Sequence, residues 1–314
     1  MKAVVIRDTK LHWEDHAEPV AGDTELLVSV RAAGLNGADM AQRRGFYPAP
    51  AGSPQDIPGM EMAGEVGAVG AQVTRFGVGD RVMALVGGGA QAELATVDEA
   101  HALAVPDDVG WPEAGGFVEV FCTAHDALFT QGGLGSGERL LVTGAAGGVG
   151  TAAVQLGVLA GATVVASVRD SERRREVAAL GAHEVIDPEA VGAHGPFDVV
   201  LELVGAASFG SALDALAVGG RIVVIGIGSG GQVELNLGRV MGGRARISGS
   251  TLRGRDRTAK GAVVEAVRRH VVPHLASGRL SVPVCATFPF AEVERAYERF
   301  GAGSKLGKVV LTAL

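Results

Sequence analysis

Residues 139–161, RLLVTGAAGGVGTAAVQLGVLAG, limit the possible folds more than any other stretch. Leu140, Leu141 and Val142 read as a short parallel strand buried on both faces. Gly144, Gly147, Gly148 and Gly150 follow, and then an apolar run of small residues without proline, which reads as a helix. With 48 glycines in 314 residues, chance matches to the spacing G-x-x-G-x-x-G arise, and a tight βα turn of any α/β protein is the alternative; the strand before it and the helix after it favour the dinucleotide reading. A tight turn needs a residue without Cβ, a pyrophosphate needs backbone N–H groups that it can approach closely, and a helix N-terminus offers partial positive charge. The stretch is thus a candidate dinucleotide site.

The rest of the chain supplies matching architecture. From Leu140 onward, strands and helices alternate: LLVTG, TAAVQLGVLA, TVVASV, ERRREVAALG, FDVVLELVG, FGSALDALA, GRIVVIG. That alternation predicts right-handed βαβ units and a doubly wound parallel sheet, a Rossmann-like α/β domain. Upstream the texture differs. Residues 1–7 and the alternating ELLVSVRA, residues 25–32, read as strands; a short helix is expected near Ala38, a Pro/Gly-rich loop over 47–58 and a strand over 59–69. Many short strands with glycine turns predict a β-rich, partly barrel-like domain. Residues 113–129 read as helical, broken at Cys122-Thr123. Residues 262–275 read as another helix, FPFAEVERAYERF as a further one, and LGKVVLTAL as a last strand. The expected organisation is a β-rich domain from 1–112 and 262–314 with a Rossmann-like domain, 113–261, inserted in it. A ligand is expected in the crevice between them, at the carboxyl ends of the parallel strands.

Composition excludes several classes. Hydrophobic residues are 47% and charged residues 20%, a globular balance. The formal net charge of −7 and the lack of a basic block argue against nucleic acid. Cys122 and Cys285 cannot build a disulfide framework or a four-cysteine zinc lobe. No signal peptide or membrane span is evident, so a cytoplasmic protein is expected.

The second strand of the alternating region separates NAD from NADP, since a carboxylate at its end suits a ribose hydroxyl and a cation suits a 2′-phosphate. Here it ends in Ser167-Val168, followed by Arg169-Asp170 and then Arg173, Arg174 and Arg175. Arginine's planar fork matches phosphate. Arg169 and Arg173 are candidate phosphate ligands, Arg174 and Arg175 read as a solvated helix face, and Asp170 could instead pair with the first two.

Several motifs together resemble the medium-chain dehydrogenase/reductase superfamily, in particular its quinone oxidoreductase (zeta-crystallin-like) branch and the p53-inducible group within it. They are AAGLNGAD (32–39), RRGFYP (43–48), IPGMEMAGEV (57–66), VEVFCTAHDAL (118–128), VTGAAGGVG (142–150), NLGRVMGGRARISGSTLR (236–253) and LGKVVL (306–311). The resemblance implies that the β-rich domain is GroES-like, that Asn36 and Tyr47 line a substrate pocket, and that Thr123 contacts the nicotinamide ribose. It implies that Gly147, Gly148 and Val149 cradle the pyrophosphate, and that Ser167, Arg169 and Arg173 surround the 2′-phosphate. Gly226-Ile227 and Ser250-Thr251-Leu252 would border the nicotinamide, and Lys308 lies in the family's closing G-K segment and is counted with the cofactor residues. Where the family often has Gly-Ser-x-x-Lys, this chain has Arg169-Asp170-Ser171-Glu172-Arg173. A homodimer through Rossmann-domain edge strands is implied as well.

Zinc members of the superfamily carry Cys and Gly-His-Glu where this chain has Asn36 and Gly59-Met60-Glu61. Neither Asn nor Met suits Zn²⁺, and no metal is expected. Without a Lewis acid, hydride delivery to a quinone or an α,β-unsaturated carbonyl is the easier chemistry, because the developing oxyanion is delocalised. Tyr47 could supply a proton or hydrogen bond, and Asn36 could orient the acceptor. Tyr47 as an ordinary loop aromatic and Asn36 as a turn residue between glycines stay open from the residues alone. Cys122 reads as a small buried apolar residue. The leading expectation is an NADPH-dependent quinone reductase. Its rivals are an enone or enoyl-thioester reductase, and a non-catalytic NADPH-binding structural or RNA-binding protein.

Overall fold

The computed structural model describes residues 1–313. The chain forms two compact units: Met1–Cys122 with Leu252–Gly303 and the chain from Lys308 onward, and Thr123–Thr251 with Ser304–Gly307. The inserted unit therefore begins later and ends earlier than the 113–261 read from texture, and it gains four residues near the C-terminus. The short helix Trp111–Gly115 packs on the strand Glu25–Gly34 so tightly that a Cβ on Gly115 would lie 2.6 Å from the Ala32 Cβ. Residues 253–257 are likewise tied to the first unit, Arg253 to Gly87 and Arg257 to Asp98.

The first unit contains a seven-stranded sheet. Val284–Pro289 pairs with Lys308–Thr312, which pairs with Glu25–Gly34, then Glu61–Val69, Arg81–Leu85 and Ala102–Ala104; Leu94–Asp98 also pairs with Glu25–Gly34. Alternation sets its buried face. Leu26, Val28 and Val30 point into a core with Met62, Val66, Val82, Tyr297, Val309 and Leu311. A strand that the sequence reading lacks, Lys10–Asp15, pairs with Lys2–Arg7 through Asp8 and Thr9. Both turn residues have positive φ, 48° and 65°, where Asn-Gly would be the recognisable signal. The segment FPFAEVERAYERF, expected as one helix, is divided: Phe288 and Pro289 end the strand Val284–Pro289, and the helix is only Val293–Gly301.

The second unit is a six-stranded parallel sheet. Its order is Glu184–Ile186, Thr163–Ser167, Arg139–Val142, Phe197–Glu202, Leu216–Val224, Arg246–Gly249. In chain order this is 3-2-1-4-5-6, the doubly wound arrangement, with its switch point between Arg139–Val142 and Phe197–Glu202. Leu141, Val165, Phe197, Val200 and Ile222 form part of its core.

Two helices differ from expectation. The 113–129 stretch is Trp111–Gly115, then Val118–His125, then a π-helical turn Asp126–Gln131. The chain is helical through Cys122-Thr123, and the interruption lies earlier, at Gly116-Phe117, where Gly116 packs on the Lys308 stem. The 262–275 stretch is two helices, Arg257–His270 and Val272–Ala276, because Pro273 cannot continue the hydrogen-bond ladder of the first. Among the described residues no helix is long and apolar enough to cross a membrane.

Candidate active site

The glycine turn stands at the switch point of the parallel sheet. Thr143 N–H donates to the Leu201 carbonyl at 3.1 Å and Ala145 N–H to the Ser167 carbonyl at 3.2 Å, which stitches the turn to strands on both sides. Gly144 has φ +58°, and a Cβ on Gly150 would lie 2.6 Å from the Ala145 Cα. Conformation and packing thus require these two glycines. Gly147 is different: its φ is −74°, and an added Cβ would meet only the Gly144 carbonyl oxygen, at 3.4 Å. Its lack of a side chain keeps open the space before the helix Gly148–Leu159, whose first turn has no side-chain cap. Uncapped N–H groups of Gly148, Val149 and Gly150, beside that space, fit a pyrophosphate.

The carboxyl edge of this sheet gathers most of the other expected cofactor residues. Ser167 ends Thr163–Ser167 and is buried. Gly226 follows Leu216–Val224 and donates to the Glu202 carbonyl, with Ile227 exposed beside it. Ser250 follows Arg246–Gly249, and its hydroxyl donates to Asp126 at 3.0 Å. Thr251 ends the long segment of the unit, whereas Leu252 belongs to the other. Thr123, buried, is the unit's first residue. Glu202, which the sequence reading passed over, organises the turn after its strand: one oxygen accepts from Thr143, Val204, Gly205 and Ser208, and the other has no hydrogen-bond partner. An acid ending the apolar run FDVVLE was its signal.

Beyond Ser167, Arg169 is exposed and Arg173 half-buried. Arg173 Nη1 binds both oxygens of Glu176 at 3.0 Å, while its Nε, out of solvent, has no hydrogen-bond acceptor. An orphaned guanidinium N–H beside an exposed Arg169 fits a phosphate. Arg174 is not merely a solvated helix residue: it donates to the Val168 carbonyl at 3.0 Å and to Asp187 at 2.5 Å, fastening the helix Ser171–Ala179 to the strand ends.

In the first unit, Asn36 lies in a buried polar cluster. Its amide donates to Glu61 Oε1 at 2.9 Å and to the Gly34 carbonyl at 3.3 Å, and its oxygen accepts from Lys308 at 2.6 Å. Lys308 also donates to the Leu35 carbonyl at 2.7 Å and pairs with Glu61 at 2.6 Å. The other Glu61 oxygen accepts from Glu119 N–H at 3.0 Å, in the first turn of Val118–His125. Glycine is required at position 34, where a Cβ would be 2.5 Å from Glu61 Oε1. This geometry departs from expectation at two residues. All three Lys308 protons are engaged within the first unit, so the ammonium has no donor left for the cofactor. Both Asn36 amide protons are engaged too, which makes Asn36 a fixed wall rather than a free donor.

Beside this cluster, Asp39 is fully buried and accepts from the N–H groups of Asn36 and Gly59. Burial pushes its carboxyl up to about 6, against the opposing pull of those N–H groups, Lys308 and Arg253. Tyr47 is held from behind. Arg253, buried, donates to the carbonyls of Tyr47 (2.9 Å) and Gly87 (2.7 Å) and to Gln42 Oε1 (2.5 Å), and its guanidinium lies 5.2 Å from the Tyr47 ring centroid. Partial burial raises the Tyr47 phenol above its ordinary value, so it is protonated at neutral pH and can donate. Burial also lowers Arg253. Among the described residues, no group of three or more His, Cys, Asp or Glu side chains could hold a metal ion.

A parallel sheet of this order, with such a turn at its switch point, defines a dinucleotide-binding protein. A family model described as an alcohol dehydrogenase GroES-like domain matches residues 22–130, and one described as a zinc-binding dehydrogenase matches residues 148–268. A quinone oxidoreductase of Pseudomonas aeruginosa is 33% identical over 314 residues, covering 96% of this chain and 95% of that protein. Prostaglandin reductase-3 of Bos taurus is 35% identical over 233 residues, covering 72% of this chain and 61% of that protein. Among solved structures, the Pseudomonas syringae quinone oxidoreductase aligns with a TM-score of 0.87 at 28% identity, covering 99% of each chain. The chain belongs to the medium-chain dehydrogenase/reductase superfamily, in its quinone oxidoreductase branch. It is an oxidoreductase of a kind that uses a nicotinamide cofactor.

Proposed function

We propose that the protein is an NADPH-dependent, metal-independent quinone reductase. The orphaned Arg173 Nε beside the exposed Arg169, at the end of the second strand, carries the NADPH part of this reading. NADPH supplies the hydride when bound. Gly147, Gly148 and Val149 hold its pyrophosphate, Ser167, Arg169 and Arg173 its 2′-phosphate, and Thr123, Gly226, Ile227, Ser250 and Thr251 the nicotinamide end. Tyr47 donates a hydrogen bond to the acceptor oxygen as charge develops there. A quinone takes up one hydride and one proton and leaves as the hydroquinone. Asn36 at the zinc-ligand position supports metal independence, since its carboxamide is already engaged with Lys308 and Glu61.

The likeness to a prostaglandin reductase favours a second reading, reduction of a conjugated enone on the same scaffold. A panel of quinones, enones and enoyl thioesters, followed by loss of reduced-nicotinamide absorbance, separates the two. Quinones turning over fastest supports the first reading; enones or thioesters fastest replaces it with the second, and no turnover of any acceptor contradicts both. Cys122 and Cys285 are thiols rather than a disulfide, which suits a reducing cytoplasmic setting. A homodimer through the edge strand Arg246–Gly249 is also proposed, because Leu237, Met241 and Ile247 on and near that edge are exposed. Sedimentation showing a monomer at micromolar concentration would contradict it.

A further inference from the structure

Asp170 stands where a carboxylate should oppose a 2′-phosphate. Left to itself it could pair with Arg169 and Arg173 or repel the phosphate directly, and it could accept from the 2′-hydroxyl of NADH. Both of its oxygens accept hydrogen bonds from groups other than these arginines. Oδ1 accepts from Glu172 N–H at 3.0 Å, capping the helix Ser171–Ala179, and Oδ2 accepts from the hydroxyl of Ser304. Arg173 Nε keeps only a long ion pair with Oδ2, at 3.9 Å and without a hydrogen bond, and Arg173 Nη1 turns to Glu176. Ser304 reaches Asp170 from a segment that runs along the glycine turn. Gly307 N–H donates to the Ala146 carbonyl at 2.8 Å, and Gly307 bridges to Gly147 in parallel. The bends that bring it there are left-handed: φ is +70° at Gly303, +42° at Ser304 and +73° at Gly307.

We infer that Ser304 is a specificity-determining residue: its hydroxyl ties the Asp170 carboxylate to the helix start and so leaves Arg169 and Arg173 to the 2′-phosphate of NADPH. This rests on the NADPH reading above. The two donors localise the Asp170 charge, and Ser304 is the first cause of its carboxyl lying below the ordinary range. The device is remote in sequence, joining the second strand of the sheet to the last turns of the chain.

The test is direct titration of NADPH and NADH, without acceptor, read by reduced-nicotinamide fluorescence. Ser304→Gly removes the hydroxyl without strain, because glycine adopts φ +42° freely. Ser304→Asn restores a donor in a residue that tolerates the same conformation. Ser304→Gly should weaken NADPH about tenfold, the order of one charge-assisted contact, and change NADH less than about twofold. Ser304→Asn should recover most of the loss. In an Asp170→Asn background, Ser304→Gly should change neither cofactor, because the charge it restrains is gone. If the wild type prefers NADPH and Arg169→Ala abolishes the preference, but Ser304→Gly keeps it, the role of Ser304 is overturned while the NADPH reading stands. Equal weakening of both cofactors overturns it too, since the segment then serves the pyrophosphate turn. A wild type without preference overturns the NADPH reading and the inference with it.

Discussion

The buried cluster around Lys308 and the glycine turn at Gly147 are both polar, and they differ in what completes them. In the cluster, Lys308, Glu61 and Asn36 engage one another and nearby backbone, with Lys308 and Glu61 almost wholly out of solvent. At the turn, the helix start is uncapped and the space beside Gly147 is unfilled, and past the second strand of the same sheet Arg173 Nε has no hydrogen-bond acceptor. Buried polar groups are satisfied in stable proteins, so a set completed by the chain holds shape, and a set left open is one that a ligand completes. Residue type does not make the distinction: Lys308 and Arg173 are both cations counted with the cofactor residues from the sequence, yet Lys308 has its donors engaged while Arg173 Nε has one to offer.

Perturbing each region should therefore give a different kind of loss. Lys308→Met removes one partner of a buried ion pair and leaves Glu61 uncompensated, which should cost about 3–5 kcal/mol of stability. Urea unfolding measures this, and the protein still folded should bind NADPH within about twofold of wild type; an affinity loss in that folded fraction would return Lys308 to the cofactor site. Asp39 should report the same cluster through pH. Its folded carboxyl, at about 6, lies above the ordinary 3.8, so the native state keeps a proton that the unfolded chain has released. Its contribution is complete below about 3.8 and falls as pH rises through about 6, by on the order of 3 kcal/mol. Asp39→Asn should thus gain on wild type in urea midpoint between pH 4.5 and 7.5, and a constant difference would show that Asp39 is not perturbed.

At the end of the second strand, the losses should be specific to one cofactor. Replacing Arg169 and Arg173 together by Ala should cost about 1.5–3 kcal/mol, roughly ten- to hundredfold in NADPH affinity, with NADH nearly unchanged. Equal losses would assign the arginines to folding. The smallest effect is expected at Tyr47. Tyr47→Phe should lower kcat/KM about tenfold for an enone and only about two- to threefold for a reactive quinone, with NADPH titration unchanged. No effect on either acceptor would leave Tyr47 a structural loop residue held by Arg253.

What the sequence disclosed follows the same physics. The strand, the glycine turn and the helix were legible because their demands are local: left-handed φ at Gly144, contact at Gly150 and open space at Gly147. The parallel sheet was legible from repeated alternation. The Asp8-Thr9 hairpin was hidden because neither residue is glycine or asparagine. The unit boundary was hidden because the helix Val118–His125 is continuous across Cys122-Thr123. The partnership of Glu61 with Lys308, the hold of Arg253 on Tyr47 and that of Ser304 on Asp170 join residues far apart in the chain, and spacing carries no trace of them. Motif likeness placed Lys308 among the cofactor residues; only the engagement of its protons shows the other role.

Amide hydrogen exchange of the wild-type protein, alone and with saturating NADPH or NADH, tests most directly the claim that the open groups belong to the cofactor. Both cofactors should slow residues 148–151, where the helix start receives the pyrophosphate, and only NADPH should slow residues 169–173. The amides of Asn36 and Asp39 should exchange slowly in all three samples. Equal protection of 169–173 by the two cofactors, or none at 148–151 with either, would contradict the account.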